Sequence, residues 1–305
     1  MAREIWDKPD LSGRVALVAG ATRGAGRGIA VELGACGATV YCTGRSTRGA
    51  PSDMARAETI DETAERVTAA GGRGIPERVD HTRADEVEAL FARVRAAGDG
   101  ALDVLVIDIW GGDPLTEWGK PFWELDPARG QRLLERAVTA HILTARYGAP
   151  LMVGRGSGLI IEVTDGDRED DYRQNLYYDL AKNNARRLGW AMAQELTPRG
   201  VTALSLTPGF LRSEAMLDHF GVTEETWREA IAQDRYFESS ETPTFIGRAV
   251  CSLAGDPEVA SKAGQALATW HLAEEYGFTD GDGRRPHWQR FLQARQAEEG
   301  AKPDP

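Results

Sequence analysis

The chain is predicted to fold as a single doubly wound α/β domain with a mostly parallel sheet of seven strands. Short apolar runs alternate with longer amphipathic stretches, and strands joined by helical crossovers must run parallel. The strand-like runs are almost continuously apolar, as expected where helices cover both faces of a sheet. The 305 residues are 42% hydrophobic and 27% charged, which suits one large domain with a substantial core.

Apolar runs separated by glycines and charged stretches define the elements of the first half. A strand is predicted where a short run is almost wholly apolar, and a helix where apolar residues recur at helical spacing. In order, these are a strand at 14–19, a helix carrying Ile29 and Leu33, a strand at 38–43, a helix at 57–70, a strand at 74–79, a helix at 84–97 and a strand at 103–107.

The second half begins with Asp126 and Pro127, which predict a helix cap and first turn because proline is tolerated at the first helical position. A later helix is predicted from leucines four residues apart, Leu176 and Leu180. In order, the elements are a helix at 126–152, a strand at 158–163, a helix at 172–198, a strand at 201–206, a helix at 242–255 and a strand at 265–268. Ligands of such sheets bind beyond the carboxyl ends of the strands.

Composition argues against several classes of partner. The net charge of −11 repels phosphate backbones, so no nucleic acid partner is expected. No apolar run approaches the roughly 20 residues that span a bilayer, so no membrane partner is expected. Cys36, Cys42 and Cys251 form no disulfide or metal pattern, and the five histidines lack metal-ligand spacing. We therefore predict a cytoplasmic protein without a metal.

A glycine-rich loop follows the first predicted strand and opens a helix. Glycines there permit a tight turn and a close approach of the backbone to a phosphate, to which the helix presents free N–H groups. No Walker A spacing is present, so the pattern favours a dinucleotide. The candidate cofactor-binding residues of this loop are Gly20, Thr22, Arg23, Gly24, Ala25 and Gly26.

The end of the second predicted strand indicates which dinucleotide binds. An acidic residue there would bind the ribose 2′-hydroxyl of NAD, but the chain has Arg45 and Ser46 instead. Arg23 lies in the glycine loop nearby, and guanidinium groups bind phosphate through paired hydrogen bonds. These residues predict a preference for NADP(H) over NAD(H).

Tyr178 and Lys182 lie four residues apart on a predicted helix, so their side chains share one face. An ammonium group near a phenol favours the phenolate and lowers its pKa toward a range useful for proton transfer. The chain contains only five lysines, which makes a chance pairing less common. We interpret Tyr178 and Lys182 as catalytic residues that also contact the cofactor.

The combined motifs resemble those of the short-chain dehydrogenase/reductases over roughly residues 10–270. The matching features are the glycine loop, Asp80 after the third strand, the Tyr178–Lys182 pair and Pro208-Gly209 after the sixth strand. The resemblance implies a Rossmann-like fold, a nicotinamide cofactor and hydride transfer between carbonyl and alcohol. It also implies a homodimer or homotetramer built on the two long helices.

The resemblance assigns roles to individual residues. Tyr178 would be the general acid toward the substrate oxygen in reduction, and Lys182 would contact the nicotinamide ribose and tune Tyr178. Asp80 would lie near the adenine, and we add the neighbouring His81 to the candidate cofactor residues. The remaining candidates near the nicotinamide end are Pro208, Gly209, Phe210 and Ser213.

Three departures from the family pattern concern the chemistry. The family's Asn-Asn-Ala-Gly after the fourth strand is Ile107-Asp-Ile-Trp110 here. The long helix that follows contains no asparagine, and Ala137 stands near the expected catalytic one. The position of the catalytic serine, 13 residues before the tyrosine, is Asp165.

Asp165 admits more than one interpretation, and we include it among the candidate catalytic residues. If protonated, it would donate a hydrogen bond to a substrate carbonyl, as a neutral carboxylic acid in an apolar site can. If ionised, it would raise the pKa of Tyr178 and favour a cationic substrate such as an iminium. Alternatively, the acidic run around it is a solvated rim, and Thr164 supplies the hydroxyl.

The sequence predicts an NADPH-dependent oxidoreductase that reduces a small carbonyl compound or imine, with Trp110, Tyr172 and Phe210 in the substrate pocket. The alternatives are an NADP-binding protein without redox turnover, acting as a sensor or non-redox catalyst, and a dehydratase or epimerase of nucleotide sugars. The predicted organisation is an N-terminal tail at 1–12, an NADP-binding catalytic domain at 13–270, a substrate loop at about 210–241 and a C-terminal extension at 271–305.

Overall fold

A computed structural model describes residues 6–51, 56–97, 101–166, 168 and 172–300. It contains one seven-stranded sheet, in which every pair of neighbouring strands is parallel. The strands are β1 Val15–Ala19, β2 Thr39–Gly44, β3 Arg73–Arg78, β4 Val104–Ile107, β5 Gly158–Val163, β6 Val201–Thr207 and β7 Ala266–Ala268. Their order is β3-β2-β1-β4-β5-β6-β7. The predicted doubly wound α/β class is confirmed, and the sheet is wholly rather than mostly parallel.

Helices cover both faces of the sheet and bury an apolar core on each side. The helices are α1 Gly24–Ala35, α2 Ile60–Ala69, α3 Ala84–Ala97, α4 Pro127–Leu134, α5 Ala140–Val153, α6 Leu176–Leu196, α7 Glu214–Phe220, α8 Pro243–Gly255, α9 Thr269–Tyr276 and α10 Trp288–Gly300. The strand order reverses between β1 and β4, which places a ligand-binding crevice at the carboxyl ends of these strands.

The two long predicted helices differ from their predicted form. The helix predicted at 126–152 is interrupted by a π-helical segment at Glu135–Thr139, which separates α4 from α5. This segment contains Ala137, and π-helical turns within helices are frequent at functional sites. The helix predicted at 172–198 begins later, because the Asn175 side chain caps it by accepting a hydrogen bond from the Tyr178 N–H. The start predicted at residue 172 is therefore wrong.

Described segments near both ends of the sequence pack against the core. Leu11 is 2% exposed, and the Trp6 indole N–H donates a hydrogen bond to Ser252 Oγ. The helix α9 crosses the boundary predicted at residue 270, and Leu272 and Phe278 belong to the core. These contacts join the N-terminal segment and the start of the C-terminal segment to the sheet domain.

The predicted substrate loop is folded around its own small apolar cluster. It contains α7 and two 3-10 segments, Trp227–Ala232 and Arg235–Ser239. The buried members of its cluster are Val222, Trp227, Ala230 and Phe237. Among the helices that the structure describes, we find none that is both long and apolar enough to span a bilayer.

Candidate active site

A cleft of about 490 Å³ opens at the carboxyl edge of the sheet. The predicted residues that line it come from the glycine loop, the strand ends, α6 and the segment after β6. They are Gly20, Thr22, Arg23, Ala25, Arg45, Ser46, Asp80, His81, Trp110, Asp165, Tyr178, Lys182, Pro208, Gly209, Phe210 and Ser213. The fold thus brings together most of the predicted site residues.

Glycines make the loop at the floor of this cleft compact. Gly20 has a positive φ of 96°, and a Cβ there would lie 2.2 Å from the Asp108 carbonyl oxygen. A Cβ on Gly26 would lie 2.3 Å from the Gly20 carbonyl oxygen. Gly24 and Gly26 do not line the cleft, and the Gly24 N–H donates to Glu214 Oε2 at 2.8 Å. Gly26 thus allows close packing at the start of α1, whereas Gly24 is required for its positive φ of 55°.

Basic residues gather at the end of the cleft next to β2. Arg23 and Arg45 both line it, and Arg23 Nε donates to Glu58 Oε2 at 3.2 Å. Both ring nitrogens of His81 are already bonded, one to Thr43 at 2.8 Å and the other to Thr144 at 2.9 Å. Burial lowers the pKa of His81 to about 3, so the ring is neutral. His81 therefore offers no free ring nitrogen to a cofactor.

Tyr178 lies at the opposite end, where its hydroxyl donates a hydrogen bond to Asp165 Oδ2 at 2.7 Å. Burial raises the pKa of Tyr178 well above its usual value, and the negative charge of Asp165 raises it further. The pKa of Tyr178 is therefore raised rather than lowered as expected beside Lys182, and the side chain is a protonated phenol at neutral pH. The Thr164 hydroxyl donates to the Lys182 carbonyl oxygen at 2.6 Å. Thr164 is thus already engaged, whereas Asp165 contacts the tyrosine directly.

Two tryptophans enclose the tyrosine ring. The ring centres of Trp110 and Trp118 lie 5.3 and 5.1 Å from that of Tyr178. Lys182 Nζ lies 4.2 Å above the Trp110 ring, a distance at which the cation is attracted to the ring face. Trp110, which the sequence predicts for the substrate pocket, thus lies beside Tyr178 and Lys182, and Trp118 was not among the predicted pocket residues.

A second cavity of about 770 Å³ adjoins the cleft and shares Asp165, Tyr178 and Phe210 with it. Tyr172 lines this second cavity and not the first. Its other aromatic lining residues are Trp118, Tyr236, Trp270 and Trp288. The helix α10 contributes one side, with Gln289, Gln293 and Gln296 among its lining residues. The sequence reasoning assigned no role to this helix, whose residues show little apolar periodicity.

Buried acidic residues stand close to the cleft. Asp108 is partly buried in the lining of the cleft next to Gly26, and burial raises its pKa to about 6. His141 Nδ1 lies 2.6 Å from Glu162 Oε2, and its Nε2 lies 2.9 Å from the Ile109 carbonyl oxygen. Although burial opposes it, the paired Glu162 carboxylate raises the pKa of His141. Because a carboxylate inside the apolar strand β5 requires a partner, Glu162 was the feature of the sequence that could have indicated its pairing with His141.

Glu241 is a further buried acid, at the end of the substrate loop. Its Oε2 accepts hydrogen bonds from the Gly209 N–H at 2.9 Å and from the Thr269 hydroxyl at 2.8 Å. Burial raises the pKa of Glu241 to about 8. The segment after β6 is therefore anchored by a side chain that is protonated at neutral pH.

The parallel sheet, the glycine loop at its switch point and the Tyr178–Lys182 pair define a nicotinamide-dependent oxidoreductase. The chain belongs to the short-chain dehydrogenase/reductase family, since the family model for short chain dehydrogenase matches residues 14–220. It is an NAD(P)-dependent dehydrogenase/reductase, and the suspected resemblance is confirmed.

Similar proteins cover most of the chain. Dehydrogenase/reductase SDR family member 1 of Mus musculus is 36% identical over 279 residues, which is 90% of this chain and 85% of that protein. The Homo sapiens protein of the same name is 34% identical, with the same coverage. The crystal structure of a short-chain type dehydrogenase/reductase from Mycobacterium marinum has a TM-score of 0.67 and 25% identity, and covers 86% of this chain and 96% of that one.

Proposed function

We propose that this enzyme uses NADPH to reduce a ring-containing carbonyl compound, with Tyr178 as the proton donor. The observation that carries the proposal is the position of the Tyr178 side chain, which lines both the cofactor cleft and the adjoining aromatic cavity. A substrate bound in the aromatic cavity would place its carbonyl group next to the Tyr178 hydroxyl, where the two cavities meet. The raised pKa keeps the phenol protonated at neutral pH, as a general acid requires.

The residues of the cleft fit a nicotinamide dinucleotide. A side chain at Gly20 would clash with the Asp108 backbone, so glycine lets the loop turn tightly at the strand ends, and a glycine loop that opens a helix suits a diphosphate. Arg23, Arg45 and Ser46 line the adenosine end and support binding of a 2′-phosphate, which favours NADP(H). When bound, the nicotinamide supplies a hydride to the carbonyl carbon.

The chain's own groups would complete the reaction. Tyr178 releases its proton to the substrate oxygen, and the electron pair of the broken O–H bond stays on Oη. Lys182 Nζ lies 5.5 Å from the centre of the tyrosine ring, so its positive charge supports the phenolate that forms. Trp110 and Trp118 pack against the ring and help to fix its position.

The second cavity supports a bulky and uncharged or anionic substrate. Its volume of about 770 Å³ suits a compound of several rings, and aromatic walls bind such rings by stacking. Its described charged residues are Asp165, Arg168 and Arg173, which disfavours an iminium.

A binding titration with NADPH and NADH, followed by addition of ring ketones, aldehydes and cyclic imines, tests the proposal. We expect tighter binding of NADPH and oxidation of NADPH by ring ketones. Tight binding without oxidation of NADPH by any of these compounds would favour the alternative of a non-redox protein, which the replacement of the family serine by Asp165 motivates. Equal affinity for both nucleotides would contradict the NADP(H) preference.

We further propose a cytoplasmic homodimer or homotetramer. Large apolar side chains are exposed on α5 and α6, including Ile142, Leu180 and Trp190 at 47%, 41% and 42%. Such residues on neighbouring helices favour association with a second copy. All three cysteines are buried and free, which supports a reducing compartment. Light scattering should give an oligomer mass that falls to the monomer mass in Trp190→Glu.

A further inference from the structure

Asp165 creates an electrostatic problem for the proposed reduction. The inference that follows rests on that proposed function. Its Oδ2 lies 2.7 Å from the Tyr178 hydroxyl oxygen. Once the tyrosine has given its proton to the substrate, a phenolate faces a carboxylate at this distance. Two negative charges so close disfavour each other, so proton transfer requires a nearby positive charge.

Arg173 supplies a positive charge near the same carboxylate oxygen of Asp165. Its Nε lies 3.9 Å from Asp165 Oδ2, and its side chain is only 8% exposed. The Arg173 backbone N–H donates to Asp179 Oδ1 at 3.2 Å, and Nη1 lies 3.4 Å from the same oxygen. Asp179 in turn accepts a hydrogen bond from the Asn183 side-chain amide. The guanidinium is thus held by Asp179 of α6 within ion-pair distance of Asp165.

The local backbone is shaped around this guanidinium. Gly166 has a positive φ of 86°, and a Cβ there would lie 1.9 Å from Arg173 Nη2. Gln174, with a φ of 58°, is the one non-glycine residue with a positive φ in the described part of the chain. Such conformations persist where surrounding contacts enforce them, and they cluster at functional sites. The next residue, Asn175, caps α6 and fixes the turn.

We propose that Arg173 is a positioning residue that holds Asp165 and offsets its charge while Tyr178 transfers its proton to the substrate. The charged groups that act on Tyr178 from the packed elements are Asp165, Arg173, Asp113 and Lys182. The positive charge of Arg173 lowers the pKa of Tyr178 against the effects of burial, Asp165 and Asp113. The family's serine is therefore replaced by a carboxylate together with a guanidinium.

The first test is the pH dependence of alcohol oxidation by NADP⁺, the direction in which Tyr178 must be a phenolate. In Arg173→Gln we expect the midpoint to rise by about one pH unit. Oxidation below the midpoint would then slow about tenfold. Arg173→Lys retains the charge and should recover most of this loss. The control is Arg93→Gln, which removes an exposed arginine of α3 that forms an ion pair with Glu77 of β3. This variant should leave the midpoint unchanged.

A second readout does not depend on turnover. Tyrosine labelled with ¹³C at Cζ reports the ionisation of Tyr178, whose resonance is the one missing from Tyr178→Phe. We expect Arg173→Gln to raise the ionisation midpoint more when Asp165 is present than in Asp165→Asn. If the rise is larger with Asp165 present but no carbonyl compound is reduced, the proposed function fails, whereas the charge-offsetting role of Arg173 stands. If a folded Arg173→Gln protein titrates as the wild type does, the role of Arg173 is refuted.

Discussion

Replacing Asp165 by asparagine isolates the effect of its charge on Tyr178. Asparagine keeps a hydrogen-bond acceptor near the 2.7 Å contact but removes the negative charge. Two unit charges at this 2.7 Å separation interact by about 6 kcal/mol at an effective dielectric constant of about 20. Because Asp165 is 48% exposed, solvent screens much of this, and we expect about 1.4 kcal/mol, or about one pKa unit.

The sign of the effect follows from the protonation state that each direction needs. The carboxylate raises the pKa of Tyr178, so its removal lowers that pKa and makes more phenolate at a given pH. Alcohol oxidation needs the phenolate as a base, so below the midpoint it should become about tenfold faster in Asp165→Asn. Reduction at neutral pH should change little, because Tyr178 remains protonated there.

Initial rates of NADP⁺ reduction across the alkaline pH range measure this midpoint. The matched control is Asp256→Asn, because Asp256 accepts a hydrogen bond from the Tyr276 hydroxyl at 2.5 Å and lines neither cavity. The control should show the wild-type profile. A midpoint that is unchanged or raised in Asp165→Asn would refute the reasoning.

Three further predictions concern the cofactor, the substrate and stability. Arg45→Ala should weaken NADPH binding about tenfold in a fluorescence titration and leave NADH binding nearly unchanged, because only NADPH carries the 2′-phosphate; equal losses for both would contradict this. Trp288→Ala should raise KM for ring ketones with little change in kcat, because α10 lines the second cavity; a change in kcat alone would exclude this role. Glu241 has a pKa of about 8 in the fold and an ordinary value of 4.5, so stability should fall as pH rises from 4.5 to 8. In thermal unfolding, Glu241→Gln should not show this loss of stability with rising pH. The same pH dependence as in the wild type would contradict the role of Glu241.

The sheet could be predicted because its strands carry their own signal. The apolar runs at β1, β4, β5 and β6 are buried on both faces, so their composition alone identifies them. The start of α6 was harder to predict, because the left-handed conformation of Gln174 has no sequence signature. The π-helical segment at Glu135–Thr139 likewise depends on packing rather than on residue preference.

The candidate site was predictable where one motif determines it. Tyr178 and Lys182 share a helix face, and the loop at Gly20 follows a strand, so short-range spacing placed both. Arg173 was not predicted, because its contact with Asp165 depends on the room that Gly166 leaves. The helix α10 was missed because its pocket-lining residues are mostly glutamines, which sequence patterns do not distinguish from a solvated surface.

The most direct test of the account is the rate of NADPH oxidation with a ring ketone in the wild type and in Tyr178→Phe. Loss of NADPH absorbance gives the rate, and a titration gives cofactor affinity. We predict rapid oxidation by the wild type and a rate lower by about two orders of magnitude or more in Tyr178→Phe, with a much smaller change in affinity for NADPH, because most of the predicted cofactor contacts remain. Equal rates in the two proteins would contradict the assignment of Tyr178 as the proton donor.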